Sequence, residues 1–139
     1  MRIAIAGSSG LIGSELVTHL RSRGHEVQRI VRRTAKAPGE VTWDPSRGTI
    51  DESSLDGVDA LINLAGAGVG DHRWTASYKR EILNSRVSTT DLIARTAASL
   101  KIPTLVNASA IGYYGDTGSH AVDESHEPGQ GFLADVVVA

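Results

Sequence analysis

Three glycines near the start of the chain have the spacing of a phosphate-binding turn. Gly7, Gly10 and Gly13 form the pattern GxxGxxG directly after a short apolar run, residues 2–6. Where such a turn joins a strand to a helix, unpaired backbone N–H groups and the positive end of the helix dipole bind a pyrophosphate. The pattern predicts dinucleotide binding, and the alternative interpretation is a tight, well-packed turn. The predicted nucleotide-contacting residues of this turn are Gly7, Ser8, Ser9, Gly10, Leu11, Ile12 and Gly13.

Two consecutive arginines occur where the ribose of a dinucleotide would be held. Arg32 and Arg33 end the second predicted strand, about twenty residues after the glycine turn. An acidic side chain at this place binds the ribose hydroxyls of NAD, whereas a guanidinium group binds a 2′-phosphate through a planar, charged fork. The pair therefore favours NADP over NAD as the cofactor, and it leaves open whether Arg32, Arg33 or both contact the phosphate. The alternative is an ordinary solvated strand end.

The elements around these residues follow a strand-helix-strand order. Residues 2–6 predict a strand that is buried on both faces. A helix is predicted from residue 10 to Gly24, a residue suited to a left-handed cap. Residues 25–33 then predict a second strand, and the whole unit has the length of a parallel crossover. The predicted apolar stripe of the helix is Ile12, Leu16, Val17 and Leu20.

The rest of the chain continues the alternation of strands and helices. We predict a weak strand over 41–43, mostly loop over 44–55 with a shortened helix, a strand over 59–64, a helix over about 75–100 and a strand over 104–109. Residues 110–131 predict a long surface loop, and residues 132–139 predict either a strand or the start of a helix. The expected fold class is α/β, with a Rossmann-type doubly wound parallel sheet of at most five strands. Helices on both faces would give three αβα layers in a single domain over residues 1–139.

The composition excludes several other classes of protein. The 139 residues carry 14 Lys+Arg against 16 Asp+Glu, a formal net charge of -2, so no strong field attracts nucleic acid or an anionic membrane. No cysteine is present, which excludes disulfides, thiolate catalysis and cysteine-ligated metals. Neither a run of about 18 apolar residues nor a signal-peptide pattern occurs. We therefore expect a cytoplasmic protein that acts without nucleic acid or membrane.

Five short motifs follow one another along the chain: WDP at 43–45, LDGVDALINLAG at 55–66, RW at 73–74, SR at 85–86 and SAIGYYG at 109–115. Together they resemble the extended and atypical short-chain dehydrogenases of the NAD(P)-dependent epimerase/dehydratase group. The narrower resemblance is to the YfcH-like, nucleoside-diphosphate-sugar epimerase-like subgroup, and it covers the whole chain. It implies a Rossmann fold that binds NADP at the C-terminal ends of its strands.

The resemblance also implies roles for individual residues. By position, Leu64, Ala65 and Gly66 line the adenosine and ribose with their backbone. Asp44 accepts a hydrogen bond from the adenine amino group, the alternative being that Asp-Pro simply starts a turn. Ser109 matches the family's catalytic serine, whose hydroxyl can hydrogen-bond a substrate oxygen during hydride transfer. The alternative for Ser109 is a strand-end cap.

The chain departs from the family pattern at the acid/base position. Catalytic members carry a tyrosine with a lysine four residues later, and this chain has no YxxxK. Tyr113 is the expected substitute if its loop aims the hydroxyl inward, and otherwise it is a packing or substrate-wall residue. Tyr114 matches the family's YG motif, which is not the acid/base position. Arg86 stands where relatives often carry asparagine, so it would contact an anionic substrate or pair with a carboxylate.

Several other polar residues have both a functional and a structural interpretation. Asn63 precedes the glycine-rich bend and is expected to stabilise that turn rather than to touch the cofactor. His72, Arg73 and Trp74 lie where substrate would enter, although Trp74 also suits a hydrophobic staple at a helix start. The acidic, histidine-containing stretch 120–127 lacks a rigid frame, so no metal site is predicted. No GxSxG elbow of a serine hydrolase occurs.

The expected function is that of an NADP-dependent oxidoreductase or nucleoside-diphosphate-sugar epimerase-like protein. It would transfer hydride between nicotinamide and a hydroxyl or carbonyl carbon of a small molecule. The alternative is an NADP-binding structural or regulatory protein without turnover. Since family members have later strands and a C-terminal substrate lobe, we expect this chain to be the N-terminal part of a larger fold. The edge of its last strand is expected to favour self-association or contact with that missing segment.

Overall fold

The computed structural model describes residues 1–139 and contains a central sheet of six strands. The strands are β1 (Arg2–Ala6), β2 (Glu26–Val31), β3 (Glu40–Asp44), β4 (Thr49–Ile50), β5 (Ala60–Asn63) and β6 (Thr104–Asn107). The helices are α1 (Leu11–Ser22), α2 (Ala76–Ser99) and α3 (Phe132–Val138), with short 3-10 turns at Glu52–Leu55 and Ile111–Tyr114. The predicted α/β class is confirmed.

The order of the strands in the sheet is β4-β3-β2-β1-β5-β6. Every neighbouring pair is parallel except β3 and β4. The chain thus adds strands outward from β1 on one side and then returns to add β5 and β6 on the other. The carboxyl ends of β1 and β5 therefore form the topological switch point, where doubly wound sheets bind their ligands. This confirms the predicted doubly wound parallel sheet.

The expected limit of five strands is wrong, because β4 forms a sixth. It is antiparallel to β3 and pairs Ile50 with Trp43 and Thr49 with Asp44. A strand of two residues is too short to show an alternating pattern, so the sequence does not predict it. The 3-10 turn that follows buries Leu55 and stands where a helix would connect β3 to β5. The predicted shortening of that helix is therefore confirmed.

Alternating side chains of β1 divide the core between the two faces of the sheet. Ile3 and Ile5 point toward the face covered by α1, where they pack with Val17. Ala4 and Ala6 point toward the opposite face and pack with side chains of α2. One helix on each face produces the three αβα layers that the sequence predicts.

The ends of the two long helices carry the expected signals. Gly24 follows α1 with a φ of +80°, and the N–H of His25 donates to the Leu20 carbonyl at 3.1 Å, as in a Schellman cap. At the start of α2, Thr75 Oγ1 accepts from the backbone N–H of Tyr78 at 3.2 Å.

One member of the predicted stripe on α1 is misplaced. Ile12 is 70% exposed, whereas Val17 is buried and Leu16 and Leu20 are half-buried against the sheet. The first turn of α1 lies at the carboxyl edge of the sheet, before the helix runs back over it, and this explains the exposure of Ile12.

The C-terminal part of the chain contains an edge strand, a loop and a short helix. All residues of β6 are exposed, and residues 110–131 form the predicted loop apart from one 3-10 turn. Residues 132–138 form a helix rather than a strand, with Val136 packed against Tyr78 and Ile82 of α2. None of the helices combines the length and the apolar composition that crossing a bilayer would require.

Candidate functional site

A cavity of about 1350 Å³ opens at the carboxyl edge of the sheet, beside the switch point. The glycine turn, the ends of β2 and β3, the segment after β5 and one side of α2 enclose it. Leu11, Ile12 and Gly13, in the first turn of α1, lie outside its lining. The predicted nucleotide-contacting residues that line it are Gly7, Ser8, Ser9, Gly10, Arg32, Arg33, Asp44, Leu64, Ala65 and Gly66.

Close backbone contacts explain the glycines of the turn. Gly7 has a φ of +76°, and a Cβ atom there would lie 2.6 Å from the Leu64 carbonyl carbon. A Cβ atom on Gly13 would lie 2.2 Å from the Gly7 carbonyl oxygen, so α1 packs directly on the turn. Gly10 precedes α1 without any side-chain cap, which leaves the N–H groups of the first helical turn free for an anion.

The two predicted phosphate-binding arginines lie in different environments. Arg33 forms a two-pronged ion pair with Glu40, at 2.7 Å from Nη1 to Oε2 and 2.5 Å from Nη2 to Oε1. This pair, together with the backbone N–H of Lys36, lowers the pKa of Glu40 from 4.5 to about 2. Arg32 is exposed, lines the cavity and makes no side-chain hydrogen bond or ion pair. Of the two, Arg32 has the guanidinium group available for a ligand.

A third arginine, which sequence reasoning missed, lies beside the glycine turn. Arg29 lines the cavity, and its Nε donates to the hydroxyl of the buried Ser8 at 3.2 Å. The signal that could have located it is the alternation in β2, because Arg29 lies on the same face as Val27, which packs on the α1 side of the sheet.

Asp44 lines the cavity at the end of β3 and also organises a local turn. Its Oδ1 accepts from the backbone N–H of Ser46 at 3.0 Å and from the Ser46 hydroxyl at 2.5 Å. These bonds lower the pKa of Asp44, with a smaller contribution from Arg47. The turn-starting interpretation of Asp-Pro thus describes what Asp44 contacts within the chain.

The side chain of Asn63 forms hydrogen bonds with the segment after β5 and with β6. Its Oδ1 accepts from the backbone N–H of Ala65 at 3.1 Å, and its Nδ2 donates to Asn107 Oδ1 at 2.7 Å. Asn63 is buried and does not line the cavity. These contacts agree with the expected turn-stabilising role and connect β5 to β6.

The inner side of α2 contacts the same segment. Ser85 Oγ accepts from the backbone N–H of Ala67 at 2.9 Å, and Arg86 Nη1 donates to the Ala67 carbonyl at 2.9 Å. Within the structure Arg86 therefore contacts backbone carbonyls, including that of Ile82 at 3.1 Å, rather than a carboxylate, which was one of its two expected partners. Sequence reasoning missed Ser85 as a contact of this segment.

The end of the cavity farthest from the arginines contains titratable groups. His72 lines it and lies edge-on to Tyr78 with ring centroids 4.9 Å apart. The Tyr78 hydroxyl donates to the Gly68 carbonyl at 2.5 Å. Burial, helped by the carboxylates of Asp71 and Glu81, raises the pKa of Tyr78. Tyr78 could not be predicted as a lining residue, because its helical spacing indicates only a core position.

Trp74 and Arg73 lie just before α2. The Trp74 indole N–H donates to the Val69 carbonyl at 2.7 Å, and its ring contacts Phe132 at 5.3 Å between centroids. Lys79, four residues after the capping Thr75, lies over the same ring at 5.8 Å. This is the placement of a staple, with a cation in place of the usual apolar partner. Arg73 and Trp74 do not line the cavity.

Ser109 and Tyr113, the candidate catalytic residues, lie outside the lining of the cavity. Ser109 is exposed just beyond β6. Tyr113 is half-buried in the second 3-10 turn, edge-on to Tyr114 at 5.1 Å between ring centroids. Because β6 is parallel to β5, Ser109 nevertheless follows a strand that ends at the same edge of the sheet as the cavity.

The side-chain hydrogen bonds of the acidic, histidine-containing stretch 120–127 join residues that are close in sequence. Asp123 Oδ1 accepts from the backbone N–H of Ser125 at 3.0 Å and lies 3.1 Å from His126 Nδ1. These bonds lower the pKa of Asp123 and form a small turn on the surface.

The fold and the cavity define a Rossmann-type domain with a glycine-rich turn at its switch point. Residues 3–131 match the profile of the NAD dependent epimerase/dehydratase family. The chain belongs to this family, which confirms the resemblance carried by its motifs.

Similar proteins match at least 95% of this chain but are longer than it. Epimerase family protein ML0860 of Mycobacterium leprae is 45% identical over 132 residues, which is 95% of this chain and 43% of that protein. The crystal structure of human epimerase family protein SDR39U1 (isoform 2) with NADPH superimposes with a TM-score of 0.84 at 32% identity, over 99% of this chain and 46% of that one. The nucleoside-diphosphate sugar epimerase from Corynebacterium glutamicum gives 0.82 at 38% identity, over 99% of this chain and 29% of that one. The chain thus spans less than half the length of these relatives.

Proposed function

We propose that the cavity binds NADP(H) and that the protein acts as an oxidoreductase or nucleoside-diphosphate-sugar epimerase-like enzyme. The observation that carries the proposal is that the glycine turn, which leads into the uncapped start of α1, and an unpaired Arg32 line one cavity at the switch point of the sheet. When bound, the nicotinamide ring would accept or donate the hydride. The residues of this chain bind and orient the dinucleotide.

The phosphates would occupy the end of the cavity near β2. The pyrophosphate would lie on the turn from Gly7 to Gly10, where the helix dipole favours negative charge. The 2′-phosphate would lie against Arg32, since the guanidinium group of Arg33 is already paired with Glu40. Arg29, next to Ser8, adds positive charge at the same end. This arrangement supports NADP rather than NAD as the cofactor.

The identity of the relatives supports the same chemistry. The human relative was solved with NADPH, and the relative from Corynebacterium glutamicum is named a nucleoside-diphosphate sugar epimerase. We therefore propose a small-molecule substrate, a sugar nucleotide, that exchanges hydride at a hydroxyl-bearing or carbonyl carbon. Ser109 is proposed to hydrogen-bond the substrate oxygen and Tyr113 to move the proton.

Calorimetric titration of NADPH and NADH into the chain tests the proposal. Arg32→Ala is expected to raise the Kd for NADPH by about ten- to hundredfold and to leave the Kd for NADH unchanged, because one charged hydrogen bond contributes about 1.5–3 kcal/mol. Arg33→Ala is the matched control, and its effect should be smaller because Arg33 is held by Glu40. A wild-type chain that binds neither NADPH nor NADH would overturn the proposal. A preference for NADPH over NADH that persists in Arg32→Ala would overturn the role of Arg32.

A second candidate function is NADP binding without turnover, as a structural or regulatory signal. The observation that favours it is that neither Ser109 nor Tyr113 lines the cavity. The two functions differ in whether bound nicotinamide reacts. Oxidation of NADPH by a panel of nucleotide-linked ketosugars, followed at the nicotinamide absorbance, would support the enzyme. Tight binding of NADPH with no oxidation by any member of the panel would support the signalling function.

A further inference from the structure

We propose that Ser85 and Arg86 are positioning residues that hold the segment 65–68, here called the cavity loop, in the shape that receives the nucleotide. The inference deepens the proposed function and depends on it. It assigns a role to the SR motif at 85–86, whose residues are not among the proposed phosphate contacts.

The two side chains hold both polar backbone groups of a single residue. Ser85 Oγ accepts from the N–H of Ala67 at 2.9 Å, and Arg86 Nη1 donates to the carbonyl of Ala67 at 2.9 Å. At the next residue of the loop, the Tyr78 hydroxyl donates to the carbonyl of Gly68 at 2.5 Å. The helix thus replaces the hydrogen bonds that a strand or helix would otherwise supply to this segment.

The cavity loop has little else to define its conformation. The N–H groups of residues 65–70 donate to no backbone carbonyl, and of them only those of Ala65 and Ala67 bond to a side chain. Gly66, Gly68 and Gly70 give the backbone wide conformational freedom. The side chains of Asn63 and α2 therefore determine the path of the loop.

The geometry of α2 brings the contacts together. Ser85 and Arg86 lie seven and eight residues after Tyr78, about two helical turns, so all three side chains lie on one face of the helix. Arg86 is held in place by a second bond to the Ile82 carbonyl at 3.1 Å. Its side chain also covers Gly66, where a Cβ atom would lie 3.3 Å from Arg86 Cγ. The arginine therefore shapes the loop by packing as well as by hydrogen bonding.

The consequence is an effect on affinity that is common to both nucleotides. Ala65 to Gly68 line the cavity, and we place them against the part of the dinucleotide that NADPH and NADH share, since the 2′-phosphate is assigned to Arg32. Loss of the contacts from α2 should raise the Kd values for NADPH and NADH by the same factor. Loss of Arg32 should raise the Kd for NADPH alone, so the two kinds of variant can be distinguished.

The test is titration of NADPH and NADH into the wild-type chain and into Ser85→Ala, Arg86→Gln and Arg86→Lys, all below their unfolding temperatures. Ser85→Ala and Arg86→Gln are each expected to raise both Kd values by about three- to tenfold, the value of one lost hydrogen bond. Arg86→Lys should recover part of the loss, because an ammonium group can still donate to the Ala67 carbonyl. Ser99→Ala and Arg95→Gln, on the same helix but outside the cavity lining, are the matched controls.

Each outcome decides a different point. Equal increases in both Kd values, with controls that bind like the wild type, support the inference. Ser85→Ala and Arg86 variants that bind like the controls overturn it and leave the proposed function standing, even if their unfolding temperatures fall. Ser85→Ala removes a single oxygen atom, so it decides the question alone if Arg86→Gln does not fold. A wild-type chain that binds neither nucleotide overturns the proposed function and the inference with it.

Discussion

Of the two adjacent arginines that follow β2, Arg33 has a carboxylate partner and Arg32 has none. Arg33 is bound at both prongs of its guanidinium group by Glu40, whose side chain is only 8% exposed. Arg32 extends into the cavity without a partner. A guanidinium group that already holds a carboxylate would have to give it up before it could bind a phosphate. At the scale of single residues, the selectivity for a 2′-phosphate therefore depends mainly on Arg32.

The ion pair between Arg33 and Glu40 should make stability depend on pH. Because the folded protein lowers the pKa of Glu40 from 4.5 to about 2, the pair stabilises the fold fully above pH 4.5. Its contribution is lost as the pH falls toward 2. In urea denaturation, the wild type should be more stable than Glu40→Gln at pH 7, and the difference should narrow by pH 3. A difference that stays constant between these pH values would contradict this account.

Sequence reasoning found the glycine turn and the basic pair but not the partners of these residues. GxxGxxG is a local pattern, and its function follows from the strand and helix that flank it. The choice of Glu40 as the partner of Arg33 depends on how β3 pairs with β2, which brings Glu40 opposite Arg29. The contacts of Ser85 and Arg86 depend on which face α2 turns toward the loop. Such information resides in tertiary packing rather than in spacing along the chain.

The contact between α1 and the glycine turn leaves no room for a side chain at Gly13. A Cβ atom on Gly13 would lie 2.2 Å from the Gly7 carbonyl oxygen and 2.8 Å from Ser8 Cα, which are backbone atoms with little freedom to move. Gly13→Ala should destabilise the fold by about 1–3 kcal/mol or more, because α1 must shift away from β1. The same shift should weaken NADPH binding. Urea denaturation and calorimetry measure the two effects.

Gly10→Ala is the control for this prediction. Its Cβ atom would lie 3.4 Å from the Gly7 carbonyl oxygen, an ordinary contact, and its φ of -75° suits any residue. Its cost to stability should be about 1 kcal/mol or less, from poorer capping of α1. Similar losses of stability in the two variants would show that the close packing of α1 on the turn is not what Gly13 provides.

Most of the elements were predictable because each carries its own local signal. The β1–α1–β2 unit, β5, α2 and β6 follow from apolar periodicity and from caps such as Gly24 and Thr75. The two-residue strand β4 has no periodicity to detect. Residues 132–138 form a helix in which Ala134 and Val136 are buried and Val136 packs against α2. An apolar run of this length does not by itself distinguish a helix from a strand.

At the scale of the whole molecule, the sheet order gathers distant segments into one cavity. The arginines of β2 line one end, whereas Asp71 and Glu81 line the end beside α2. This asymmetry favours a dinucleotide whose phosphates lie at the basic end and whose nicotinamide extends toward α2. The predicted self-association through the exposed edge of β6 stays a prediction.

An amide-resolved NMR titration of the 139-residue chain with NADPH shows directly whether the cavity at the switch point binds the nucleotide. We expect the largest shifts at residues 7–13, at Arg32 and in the cavity loop, with β6 and α3 little changed. Shifts confined to β6 or α3, or no shifts at millimolar NADPH, would show that the cavity at the switch point is not the nucleotide site.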